Sequence, residues 1–207
     1  MKKIIILLTI SVIFAANAVS QSFYGGVALG GVTSQVEGDR NAGFHKVGFT
    51  AGGFIGLPIS DIFDIQLEIK YIQKGSKSSV DDPSSFKIRL DYVEMPLVAS
   101  ANLGFLKVNG GKLDWLKLEF GLSLDALVHE NQTVNAANEA TDRWRPLCLN
   151  GILGAKCRLT PGLDLGLRVI TSITSAYKGN FGENSVRFGR KGAFNDVLEL
   201  VLYYRFK

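Results

Sequence analysis

The sequence predicts an all-β fold: an eight-stranded antiparallel up-and-down transmembrane β-barrel over residues 21–207, preceded by a cleaved signal peptide over 1–20. Three observations carry this. Apolar residues recur with a period of two along extended segments, as strands with one face in lipid require. Tight turns alternate with longer polar connections. The one long apolar run sits at the amino terminus, where it reads as an export signal.

That amino-terminal stretch has Lys2 and Lys3 ahead of the apolar run Ile4 to Ala16. Small residues follow at Ala16-Asn17-Ala18 and Ala18-Val19-Ser20. A charged start, a short apolar core and a small-residue cleavage site define a secretory signal; the run is too short for a comfortable span. Cleavage is expected before Gln21. No Cys follows the run, so a lipid anchor is not expected. The formal charge of +4 becomes +2 without Lys2 and Lys3, too mild to argue for nucleic acid. No later run of about 18 apolar residues exists, so no transmembrane helix is expected. Hydrophobic content is 46%, which fits a barrel that turns one face of each strand to lipid.

The first strand is expected over Phe23 to Thr33, with Gly25, Gly26, Gly30 and Gly31 suited to curvature and close packing inside. A polar loop, Ser34 to Gly43, leads to a second strand, Phe44 to Leu57. Val47, Phe49, Ala51, Gly53, Ile55 and Leu57 form one of its faces; Thr50, Gly52, Phe54 and Gly56 form the other. Pro58 to Asp61 is a tight turn into a third strand, Ile62 to Lys74. There Phe63, Ile65, Leu67, Ile69 and Tyr71 alternate with Asp64, Gln66, Glu68 and Lys70, so these two strands form a hairpin.

After the loop Gly75 to Ser85, a fourth strand is expected over Phe86 to Leu103. Ile88, Leu90 and Tyr92 share one face, and Val93, Met95, Leu97, Ala99 and Ala101 the other. The apolar face switches near Tyr92, beside Pro96. A bulge there would restore the register; alternatively, the upper part stands above the membrane. The fifth strand, Lys112 to His129, opposes Leu118, Phe120, Leu122, Leu124 and Ala126 to Lys117, Glu119, Ser123 and Asp125. A long polar loop, Glu130 to Pro146, follows. The sixth and seventh strands, Leu147 to Leu159 and Leu163 to Tyr177, meet at Thr160-Pro161-Gly162. If that turn centres on Pro161, Arg158 lies directly across from Asp164 on the lumen face.

The eighth strand follows the loop Lys178 to Ala193 and ends the chain. Leu198, Leu200, Leu202, Tyr204 and Phe206 lie on one side; Val197, Glu199, Val201, Tyr203 and Arg205 lie on the other. Its aromatic finish resembles the carboxy-terminal signal read by the barrel assembly machinery, from which the extra Lys207 departs slightly. Turns after the second and sixth strands are tight and the one after the fourth is intermediate; the remaining connections are longer, as in barrels with both termini in the periplasm. Phe23, Phe63, Phe105, Trp115 and Phe206 at one end, with Phe44, Tyr71, Phe86 and Tyr177 at the other, fit two interfacial girdles. Cys148 and Cys157 share a strand, roughly 30 Å apart on opposite faces, so a disulfide between them is not expected.

Several segments match a known family. Gly48-Phe49-Thr50-Ala51-Gly52-Gly53-Phe54, Leu57-Pro58-Ile59-Ser60, Gln66-Leu67-Glu68 and Tyr71-Ile72-Gln73-Lys74-Gly75 resemble the PorT-like outer-membrane β-barrel family of Bacteroidetes. Tyr92-Val93-Glu94-Met95-Pro96-Leu97 is similar to its Tyr-Leu-Glu-Ile-Pro-Leu segment, and Gly162-Leu163-Asp164-Leu165 extends the likeness along the mature chain. The resemblance implies an outer-membrane barrel of about eight strands. One founding member is linked to protein secretion and gliding, and that role does not transfer. No catalytic residues come with the family.

The candidate site is an interior polar network of Gln66, Glu68, Lys70, Glu94, Lys117, Glu119, Lys156, Arg158, Asp164, Arg168, Glu199 and Arg205. Buried charges are costly unless paired, so these are expected to pair or to be hydrated. His45 and His129 are the only histidines; His129 with Glu130 and Asp125, or with Ser123, could be written as a hydrolytic set, but both histidines read more simply as solvated rim residues. Asp81-Asp82 could touch a divalent ion, though a solvated loop explains them as well. No phosphate loop, Cys/His metal spacing or basic-aromatic stripe is present, so no cofactor, metal or nucleic acid is expected.

The leading function is a small non-enzymatic outer-membrane protein with a structural role or a protein or glycan ligand at its extracellular loops. Its other partners are outer-membrane lipid and the assembly machinery. An eight-stranded interior is just wide enough for side chains, so a pore is not expected. Two alternatives stay open: a barrel enzyme acting on lipid or peptide at the outer rim, and a soluble lipocalin-like barrel with its apolar faces inward.

Overall fold

The computed structural model describes residues 23–37, 43–78, 86–108, 110–134, 137–139, 143–178, 186–187 and 189–206. The expected signal peptide and Asp81-Asp82 lie outside them. Eight strands build the barrel: β1 (Tyr24–Glu37), β2 (Lys46–Pro58), β3 (Phe63–Lys77), β4 (Phe86–Val108), β5 (Gly111–Val134), β6 (Leu147–Thr160), β7 (Leu163–Ser172) and β8 (Phe194–Arg205). Each pairs antiparallel with the next, and β1 pairs with β8 to close the sheet. Short pairings at 137–139 and between 186–187 and 190–191 lie in the long connections.

Closure has a measurable offset. From Gly25 the ladder partners run through Ile55, Leu67, Leu97, Leu122, Gly151, Thr171 and Asp196 back to Gln35 on β1, ten residues further along. For eight strands that stagger implies a tilt of about 40°.

The two faces separate as the alternation requires. Ile65, Leu67 and Ile69 are 41–59% exposed on the outside, while Gln66, Glu68 and Lys70 are 1–2% exposed within. On β8, Leu198, Leu200, Leu202 and Tyr204 face out, whereas Val197, Glu199, Val201 and Tyr203 are buried. Apolar outside and charged inside is the inverse of a lipocalin, and that alternative is set aside. Large inward side chains face glycines across the ladder: Tyr24 opposite Gly56, Phe54 opposite Gly26, Lys70 opposite Gly52, Arg168 opposite Gly154. A Cβ on Gly154 would stand 2.7 Å from the Arg168 stem, so the glycine makes room for the guanidinium arm.

Three expectations are corrected. The phase fault in β4 is absent: Ile88, Leu90, Tyr92, Glu94, Val98 and Ser100 all face inward in one unbroken alternation. The slip lies in the partner strand, where Asp91 pairs with His129 and Tyr92 with Leu127, leaving Val128 as the extra residue of β5. The switch in sequence marks a change in what fills the bore, from apolar to charged, and not a change of face. Next, β4 and β5 run on to a tight turn at Gly110, whose φ of +81° suits glycine. Beyond Ala101, β4 pairs only with β5, so the hairpin projects past the rim with Phe105, Leu106 and Trp115 exposed. Finally, β7 stops at Ser172 and Tyr177 is no girdle residue. It is buried edge-on against Trp144, with ring centroids 5.2 Å apart, and Phe86 packs against the same core.

Cys148 is buried, Cys157 is half-buried, and both are free. Leu67, at the centre of the outer apolar band, is paired with Ile55 and Leu97. Leu67→Arg is expected to destabilise the barrel by about 2–4 kcal/mol. Reversible urea unfolding in lipid vesicles measures this, and an effect near zero would contradict the lipid-facing assignment.

Candidate functional site

The bore is filled in three zones. At the end with long connections, Val32, Val36, Ile72, Ile88, Leu90, Tyr92, Trp144, Ile152, Ile170 and Tyr177 form one apolar cluster. Segments of two loops are stitched over it: Arg145 N–H donates to Ala176 O at 2.8 Å, and Lys178 N–H to Arg143 O at 2.7 Å. At the opposite end Ala28, Phe54, Val201 and Tyr203 form a smaller cluster, with Tyr24 packed on it. Between them stands a column of charges.

Arg168 is the hub of the column. It donates to Glu119 at 2.8 Å and to Glu68 at 2.7 Å, and its guanidinium lies 5.2 Å from the Tyr203 ring centre. Lys156 reaches Glu119 at 2.8 Å and donates to Gln66 at 3.2 Å. Lys70 contacts Glu199 at 2.5 Å, Glu94 at 3.3 Å and Glu68 at 3.6 Å. Lys74 lies 3.1 Å from Glu94 and 2.7 Å from Asp125. A polar chain continues upward: Asn150 donates to Ser123, Ser123 to Glu94, and Ser172 to Asn150.

Of the residues singled out from sequence, Gln66, Glu68, Lys70, Glu94, Glu119, Lys156, Arg168 and Glu199 meet in this column. Lys117 stands apart, paired with Asp64 nearer the rim. Arg158, Asp164 and Arg205 form a third group at the short-turn mouth. Arg158 lies 4.0 Å and Arg205 3.4 Å from Asp164, and Arg205 also covers the Tyr24 ring. Arg158 and Asp164 are ladder partners, the register obtained by centring the turn on Pro161. The mouth is wet, with the Arg158 side chain 40% exposed, so this contact contributes little.

Lys74, Asp125, Asp64 and Tyr203 were not placed in the interior network from sequence. Lys74 keeps the phase of Gln66, Glu68 and Lys70 beyond the apolar Ile72, and Asp125 keeps that of Glu119 and Ser123, so extending the alternation past each gap finds both. His129 is exposed, while Ser123 and Asp125 are buried and engaged by Glu94 and Lys74. The structure does not assemble them into a hydrolytic set. Among the described residues no cluster of metal-ligating side chains occurs.

Outside the lumen, above the apolar band, Arg187 holds Asp196 and Glu37 and so clips a long connection to the rim. Burial pushes the Asp196 carboxyl up, but hydrogen bonds from Arg187 and Thr171 hold it below its ordinary range.

A family model described as "Outer membrane protein beta-barrel domain" matches residues 14–178. The chain belongs to that family. It is a small integral barrel protein of the cell outer membrane, and its apolar outer face stands in lipid. No curated protein sequence matches it. Among solved structures it is similar to Ail, the attachment invasion locus protein of Yersinia pestis. The TM-score is 0.52 at 11% identity, covering 88% of this chain and 98% of Ail. Ail in complex with the heparin analogue sucrose octasulfate gives 0.51 at 12%, covering 89% and 99%. Neisserial surface protein A gives 0.49 at 16%, covering 90% and 99%. The likeness to Ail is one of fold.

The column's charges make a direct test of the family barrel's interior. Among the described residues four cations, Lys70, Lys74, Lys156 and Arg168, face five carboxylates, Glu68, Glu94, Glu119, Asp125 and Glu199. Removing a cation strands its carboxylates in a low-dielectric interior; removing one negative charge brings the column into balance. Arg168→Met is expected to cost about 3–5 kcal/mol, and Asp125→Asn well under about 1 kcal/mol, by urea unfolding in lipid. Equal costs for the two would contradict this account.

Proposed function

We propose that this protein is a non-enzymatic, non-conducting barrel that works through its outer surfaces, with a structural or loop-mediated binding role in the cell envelope. The observation that carries this reading is the filled bore. Arg168, Lys70, Glu94 and Glu199 are 0–2% exposed, with apolar clusters on either side of them. An interior packed this way offers neither a water-filled path nor a cleft for substrate.

The long connections then face outward and both termini face the periplasm, as short turns on one side and long loops on the other imply. A protein or glycan ligand is proposed at those loops. That Ail, a barrel of like fold, has been crystallised with a sulfated glycan analogue is in keeping with this. The segments quoted above support membership of the PorT-like branch of the family. Residues 1–20 act as the export signal, and the aromatic end of β8 as the mark read by the assembly machinery.

Two measurements test the reading. The protein in planar bilayers is expected to show no stepwise conductance, and a stable open level would overturn the sealed bore. Mass spectrometry of the protein extracted from outer membranes is expected to find Gln21 as the first residue; an intact amino terminus would remove the signal peptide.

A further inference from the structure

On the outward side of the sheet, above the lipid band, lies a charge arrangement that no carboxylate among the described residues balances. Lys77 on β3 and Lys87 on β4 are ladder partners, and both are exposed. Like charges directly opposite one another are destabilising. The next outward residue of β4, Arg89, is already held by Asp91 through its Nε and Nη2, and also reaches the Tyr71 hydroxyl at 3.4 Å. On the far side Lys87 pairs with Thr133 and Arg89 with Asn131, so β5 brings no acid into these rows.

Lys46 stands behind this face, in the lumen-facing phase of Thr50 and Phe54 on β2. It is 3% exposed, and among the described residues its ammonium donates one long hydrogen bond, 3.4 Å, to Gln73 O. Its stem crosses Gly75, the partner of Arg89; a Cβ there would stand 3.1 Å from the Lys46 Cδ. Burial pushes the Lys46 ammonium down to about 8, with Arg89 and Lys87 adding to the fall and Asp91 opposing it. Among the described residues, Lys46, Lys77 and Lys87 have no carboxylate within ion-pair distance.

Height selects the occupant. The aromatic pair Phe49 and Tyr71, 5.3 Å between ring centres, marks the upper edge of the lipid band. Lys77 is six residues beyond Tyr71 on β3, or about 15 Å along the barrel axis at the tilt given above. A phospholipid carries its phosphate at the level of the girdle, well below that. A phosphorylated saccharide on an outer-leaflet glycolipid reaches it.

We infer that the Lys77–Lys87 face of β3 and β4 binds the phosphorylated saccharide headgroup of an outer-leaflet glycolipid. Lys77 and Lys87 supply the charge, and the Thr133–Asn131 pair in the adjoining rows presents further polar atoms to the saccharide. This rests on the outward orientation of the long connections. Cysteine labelling of intact cells at position 77 (Lys77→Cys) reports that orientation separately from binding.

The test uses the folded full chain in octyl glucoside, its fold checked by heat-modifiable migration. The probes are a lipopolysaccharide with phosphorylated inner sugars, the same material dephosphorylated, phosphatidic acid and inorganic phosphate. Each basic contact near an anionic surface contributes about fivefold in affinity. The Lys77→Gln/Lys87→Gln double variant is therefore expected to bind the phosphorylated glycolipid about thirtyfold more weakly. The Lys77→Arg/Lys87→Arg double variant is expected to bind it like the wild type. Equal binding by the glutamine variant overturns the proposal. So does equal binding of the dephosphorylated glycolipid by the wild type, which needs no variant to fold. Phosphatidic acid or inorganic phosphate binding as tightly as the glycolipid would overturn the assigned source.

Discussion

Lipid offers no partner to a free N–H or C=O, so the outer edge of β1 must find that of β8. The offset at which they meet, ten residues in eight strands, sets the tilt and with it the width of the bore. A bore that narrow takes side chains and no column of water. Every inward position then becomes a packing problem, which explains why Arg168, Lys70, Phe54 and Tyr24 each stand across from a glycine. Inward polar groups also lose their solvent, so each must find a partner inside the protein.

The charged column answers that second demand and links strands that the ladder leaves apart. Lys70 on β3 meets Glu199 on β8; Arg168 on β7 meets Glu68 on β3 and Glu119 on β5; Lys74 on β3 meets Asp125 on β5. None of these pairs joins neighbouring strands. Ion pairs buried this deeply are poor sources of net stability, since desolvation consumes most of the Coulomb gain. Their effect on register is larger. A slip of one residue in any of these strands would turn its charge into lipid, and the cross-bore partner would lose its contact as well.

The parts of this architecture legible in sequence are those where one residue type keeps one face. In β3, Ile65, Leu67 and Ile69 against Gln66, Glu68 and Lys70 gave both strand and faces, because lipid and lumen demand opposite chemistry there. The rule weakened where the lumen itself turns apolar. Ile88, Leu90 and Tyr92 look like lipid contacts on a period-two reading, yet they plug the bore under Trp144 and Tyr177. Inward and lipid-facing apolar residues are then chemically alike, and only the ladder to β3 tells them apart. The same ambiguity hid Lys74, which lies beyond the apolar Ile72, and it made Tyr177 look like a girdle residue. Strand length was legible only roughly. Past Ala101 the period of two breaks at Phe105-Leu106 and Trp115-Leu116, so the projecting hairpin carries no face signal, and nothing in a single strand records where its second neighbour stops.

The inner and outer surfaces of β3 thus obey different electrostatic rules. Inside, each of Lys70 and Lys74 lies within ion-pair distance of at least two carboxylates, as the absence of solvent requires. Three residues beyond Lys74 on the same strand, Lys77 faces Lys87 instead of an acid. Water and salt make such a pair tolerable, because the repulsion between exposed charges is small and screened. Tolerable is not favourable, however, and the ladder keeps the two lysines directly opposite one another whether or not anything neutralises them. Satisfying charge within the barrel decides the fold; charge left over on its outer flank is available to whatever anion the membrane surface presents.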